Sequence, residues 1–115
     1  MPAPENWLRR DFTSVVAERR LELVTPTERR EIVARLGEPI RDVPTAGGDD
    51  WRCPVQLVGW DYTPPPAFGV DSMQALLHGI KMLHIHLASI ERQTGGVLHW
   101  LEEPGHYVPD VPLTG

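Results

Sequence analysis

The stretch from Asp71 to Thr94 constrains this chain more than any other part of it. It contains no proline, can be capped by Asp71 or Ser72, and ends at Gly95-Gly96. At 100° per residue, Met73, Leu76, Leu77, Ile80, Leu83, Leu87 and Ile90 fall on one broad face. The spacing predicts a single long helix over 71–94 with that face turned to a core. The remainder is punctuated by twelve prolines and ten glycines in 115 residues. That implies a compact centre with irregular loops and ends, and little room for a deep cavity.

What the helix packs on must come from short strands. Residues 14–24 alternate: Val15, Ala17, Leu21 and Leu23 share one face, interrupted by Arg19, and Glu18, Arg20 and Glu22 share the other. Residues 25–37 admit two readings. Thr25-Pro26-Thr27-Glu28 fits a helix start. It also fits a turn followed by a strand with Ile32, Ala34 and Leu36 on one face. The strand is preferred because a short sheet needs it, and one hairpin register would set Glu22 opposite Arg29 and Arg20 opposite Glu31.

Residues 38–50 read as loop and 51–60 as one strand, with Pro54 at an edge or bulge. Pro64-Pro65-Pro66 makes a stiff connector over 61–68. Residues 97–101 read as a last short strand. The expected fold class is therefore α+β. An antiparallel sheet of three to four strands, a β-meander, packs on one long helix. An irregular arm over 1–13, carrying Trp7, Leu8 and Phe12, precedes an α+β body over 14–101. An extended proline-rich tail over 102–115 follows it.

Net charge is −5, unevenly placed. Residues 1–41 hold eight Arg against seven acids, and residues 42–115 hold three bases against nine. That is not the basic footprint of a nucleic-acid binder. No apolar run approaches the roughly 20 residues of a membrane helix. The N-terminus lacks the basic and apolar regions of a signal peptide, and Cys53 has no second cysteine to pair with. A reducing cytoplasm is the expected location.

Candidate chemistry is sparse. His84 and His86 lie two apart, about 200° around a helix, so they cannot share one metal ion. Cys53 precedes a proline in a strand, where nothing visible activates a thiol. His99 with Glu102 or Glu103 could form an acid–base pair, but strand histidines near charges are ordinary. The Arg doublets at 9–10, 19–20 and 29–30 read as salt-paired faces. Neither a catalytic constellation nor a cofactor is expected.

One feature exceeds a plain surface helix. Its second side carries Ala75, Gly79, Met82, Ile85 and His86, so something should cover it. Candidates are the arm, the tail, a second copy of the chain or a partner protein, with Trp60 and Tyr62 bordering the same surface. The leading expectation is a non-enzymatic protein-interaction domain, a homo-oligomer or an accessory binder. The alternative is a small-molecule or enzymatic pocket formed by Trp51, Trp60, Tyr62, His84, His99 and Trp100.

Three segments in combination carry a resemblance: Glu18 to Leu23, Asp50 to Val55 and Gly69 to Leu76. Across about residues 15–101 the chain resembles a family of short uncharacterised bacterial proteins, a domain of unknown function. The resemblance implies a turn within 25–37 and lends no catalytic residues. In size and charge alone, the chain is also similar to small immunity proteins that block toxins.

Overall fold

A computed structural model describes residues 11–113. Eight strands and one helix occur among them: β1 (Val15–Val24), β2 (Arg29–Gly37), β3 (Ile40–Thr45), β4 (Gly48–Cys53), β5 (Val55–Val58), β6 (Ala67–Gly69), α1 (Ser72–Thr94), β7 (Val97–Trp100) and β8 (Glu103–Pro104). The α+β class stands. The single meander does not: the strands form two antiparallel sheets, ordered β5-β2-β1-β7-β8 and β3-β4-β6.

The physical reason lies at Pro54. The expected strand over 51–60 is divided there, β4 joining the second sheet and β5 the first. Proline cannot donate to a ladder, and its carbonyl instead accepts from the Gly37 N–H at 2.8 Å. The opposite strand changes sheets at the same level, where β2 passes through Glu38-Pro39 into β3. Residues 29–58 thus form one long ribbon, bent where Gly37 meets Pro54. A Cβ on Gly37 would lie 2.7 Å from the Pro54 ring. Residues 38–50, expected as loop, are the far half of this ribbon, closed by a turn at Ala46-Gly47.

Residues 25–37 are a turn and then a strand. Thr25 Oγ1 accepts from the N–H groups of Thr27 and Glu28, so the helix-start chemistry is present but serves a hairpin turn. The register differs from the expected one: Glu22 lies opposite Glu31, and Val24 opposite Arg29. Arg29–Glu22 (2.8 Å) and Arg20–Glu31 (3.5 Å) still pair, diagonally. Alternation in the first sheet turns Leu21, Leu23, Ile32, Ala34, Leu36, Val55, Leu57 and Leu98 into the core.

The capping of α1 is reciprocal. Asp71 accepts from the Gln74 N–H, while Gln74 Oε1 accepts from the Val70 N–H, both at 2.7 Å. Gly95 ends the helix at φ 69. The buried stripe, however, is Ala75, Gly79, Leu83, Leu87 and Ile90. Met73 is 70% exposed and Leu77 is also exposed, so the expected core face was rotated. Small residues decide the rotation. Ala75 lies over Gly69, and Gly79 over Cys53 and Leu36, and the helix approaches the second sheet along this line.

Of the tail expected over 102–115, the described part, 102–113, is not wholly extended. Leu101 (φ 53) and Glu102 (φ 67) form a tight turn, and β8 pairs with β7. Neither residue advertises a left-handed turn, which normally favours Gly or Asn. Trp7 and Leu8 lie outside the described residues; Phe12 is half-buried.

Candidate functional site

A groove of about 360 Å³ runs between β6 and one flank of α1. Pro64 and Pro66 are buried, and the proline run delivers β6 in extended form. Alternation then turns Ala67 and Gly69 inward and leaves Phe68 outward, 43% exposed. On α1, Met82 and Ile85 lie three residues apart and share a flank. Together with Pro65 they make the apolar walls of the groove, and His78 and Lys81 sit at its rim. His78 Nδ1–H donates to the Phe68 carbonyl at 2.7 Å, tying the helix to the edge strand.

The tail reaches this groove. It leaves β8 through Gly105 (φ 117) and Tyr107 (φ 56) and bends back over α1. Arg19 Nη1 donates to the carbonyls of His106 and Tyr107, at 3.1 and 2.8 Å. His84 Nδ1–H donates to the Val108 carbonyl at 2.9 Å. Lys81 pairs with Asp110, and this hydrogen bond holds the Asp110 carboxyl below its ordinary pKa. His84 Nε2 lies 3.8 Å from the second Asp110 oxygen. Leu113 then lines the groove beside Met82 and Ile85.

One turn further along α1 is a second hollow, also about 360 Å³, lined by Leu57, Trp60, Tyr62, His86, Ser89 and Gln93 among others. The Tyr62 and His86 rings are 5.6 Å apart. Arg30 sits over Trp60 at 5.2 Å and pairs with Asp61 at 3.6 Å. Burial lowers the His86 pKa, which favours the neutral imidazole.

The seven candidate interface residues divide. Met82 and Ile85 line the groove, and Trp60, Tyr62 and His86 line the hollow beside it. Ala75 and Gly79 are buried beneath the helix and cannot offer contact surface. The six residues of the alternative pocket do not converge. Trp60 and Tyr62 share the hollow. Trp51 packs against the core from β4. His84 lies under the tail, and Trp100 stacks with Arg19 at 3.9 Å and with Tyr107. His99 shares a different surface hollow with Arg20, Glu22, Glu31 and Glu102.

Sequence reading missed Phe68, Lys81 and Leu113 as site residues. Phe68 could have been found by noting that a short strand after three prolines must expose every second side chain. Nothing in the sequence marks Leu113.

His84 and His86 indeed lie on different flanks, one against the tail and one against Tyr62. Among the described residues no cluster of three or more His, Cys, Asp or Glu side chains could hold a metal ion. Burial pushes the Cys53 thiol up to about 12, and its Sγ–H donates to the Gly37 carbonyl at 3.3 Å. A thiolate is therefore scarce at ordinary pH. Iodoacetamide at mildly alkaline pH should leave the native chain unlabelled and modify Cys53 fully in denaturant. Rapid native labelling, read by mass spectrometry, would contradict that burial.

No described helix is long and apolar enough to cross a membrane. No curated protein and no solved structure matches the chain. A family model does, over residues 17–111, which includes the tail through Val111. The chain therefore belongs to the family described as Domain of unknown function (DUF6968).

Proposed function

We propose that this chain is a non-enzymatic protein-interaction domain of the cytoplasm, that its contact surface is the groove between α1 and β6, and that a second copy of the chain is its partner. One observation carries this reading. The groove walls are apolar and open, with Ile85 41% and Phe68 43% exposed along one concave surface, on a chain of net charge −5. An accessory or immunity-like role is the same reading with a different protein in the groove.

The test is self-association by light scattering over a concentration series. Ile85→Glu should weaken it about tenfold or more while leaving stability within about 0.5 kcal/mol, as expected at an exposed position. A chain that stays monomeric throughout removes the second copy as partner. The hollow at Trp60, Tyr62 and His86 supports a second reading, a site for a small planar molecule resting against its aromatic side chains. Thermal-shift screening with planar heterocycles separates the two readings, because Tyr62→Ala should abolish such a shift and leave self-association unchanged.

A further inference from the structure

We propose that the chain binds a small apolar carboxylate in a cavity between the first sheet and α1, with the apolar body beneath the tail and the carboxylate on Arg19. This site shares no lining residue with the groove or the hollow and does not depend on either.

The cavity measures about 210 Å³. Its floor is the inward face of β1 and β2. There Ala17 lies opposite Leu36, and Arg19 opposite Ala34, and the short alanine side chains leave the space unfilled. Ile80 and Leu83 form the wall on α1, and Val108 and Pro109 of the tail form the roof. The roof is tied down at Val108. His84 Nδ1–H donates to its carbonyl at 2.9 Å, and its own N–H donates to His106 Nδ1 at 3.0 Å. Ala17 is exposed, so the cavity opens to water on the β1 side. An apolar cavity of about 150 Å³ takes up benzene. This one has room for a phenyl ring or a branched aliphatic group with a short link to its charge.

Arg19 selects the charge. It interrupts the apolar alternation of β1, and its place on the inward face sets a cation beside the cavity. Nη1 donates to the carbonyls of His106 and Tyr107, and the guanidinium stacks on Trp100 at 3.9 Å. These partners are neutral, and among the described residues no carboxylate pairs with Arg19. Glu18 also lines the cavity, but its carboxylate is taken by Arg35 at 3.0 Å and Arg20 at 3.6 Å. Arg19 is thus half-buried, held in one orientation and uncompensated. The Nε–Nη2 edge of its fork matches a carboxylate in the two-bond geometry that guanidinium favours.

The experiment titrates the full chain at neutral pH with phenylacetate and with its neutral analogue phenylethanol, followed by methyl and amide NMR. Phenylacetate should shift the signals of Ala17, Ala34, Leu83 and Val108 and bind about tenfold more tightly than phenylethanol. Ala17→Leu, made at an exposed position, fills the cavity from the sheet side. It should abolish both sets of shifts and leave the thermal midpoint unchanged. Arg19→Gln should erase the preference for the carboxylate while phenylethanol still binds. No shift with either probe at millimolar concentration overturns the site, as do shifts that map to the groove or the hollow, or that persist in Ala17→Leu. If Arg19→Gln weakens both probes equally, Arg19 acts only by holding the tail, and the assignment of a carboxylate ligand falls.

Discussion

Arg52→Ala should lower stability by about 3 kcal/mol and the thermal midpoint by roughly 12 °C, measured by urea denaturation and circular dichroism. The Arg52 side chain is only 1% exposed, yet each of its bonds is satisfied locally. Its Nε donates to both Asp42 carboxylate oxygens, at 2.9 and 3.1 Å. Its Nη1 donates to the Asp11 carbonyl at 2.9 Å, and Nη2 lies 3.6 Å from the Asp11 carboxylate. It therefore joins β3, β4 and the segment leading into β1.

Alanine would remove the cation, leave the partly buried Asp42 without it, and open a cavity on the outer face of β4. Removing one partner of a buried pair costs about 3–5 kcal/mol. Asp42 and Asp11 retain some access to water, which places the loss at the lower end. Arg52→Met should recover part of it by filling the space. A loss below about 1 kcal/mol for Arg52→Ala would mean that the pair adds little beyond what water provides.

Gly69→Ala should cost about 3 kcal/mol, seen in the same measurements, and should cost more than Gly79→Ala. A Cβ at position 69 would lie 2.3 Å from the Ala75 nitrogen and 2.9 Å from its Cα. Both are helix backbone, so the whole N-terminal turn of α1 must move. At position 79 the obstacles are Cys53 Sγ at 2.7 Å and Leu36 Cδ1 at 2.8 Å. Side chains yield more readily than backbone. Alanine also gains about 1 kcal/mol of helix propensity there, so a net loss of about 1 kcal/mol remains after overpacking. Equal stability of the Gly69→Ala variant and wild type would show that β6 is not pressed against the helix.

These two sites explain what could be read from the sequence and what could not. The helix was legible because its caps are local: Asp71, Gln74 and Gly95 specify its ends without help from the rest of the fold. Strands β1 and β2 were legible because a two-residue period survives where one face is buried. The side of the helix that is buried was not, because ranking residues by apolar size selects Met73 and Leu77. The close approach to the strands instead selects small residues, Ala75 against Gly69 of β6 and Gly79 against Cys53 of β4, and that constraint comes from across the fold.

The second sheet was hidden for a related reason. Glycine and proline at 44–48 read as loop when they mark only a turn at a ribbon's end, and Pro54 redirects a strand that it was expected merely to bulge. The candidate site followed the same division. Met82 and Ile85 could be named from helical spacing alone. Phe68 and Leu113 join them only through contacts across the fold.

Because both strands of the ribbon cross between sheets where Gly37 meets Pro54, damage to either sheet spreads to the other. A genetic screen for loss of the proposed binding would thus return Gly37, Pro54 and Arg52 beside the groove residues themselves. Alleles at those three positions would mimic interface defects without touching a partner. Separating the two groups requires measuring the amount of folded protein in each mutant before its phenotype is interpreted.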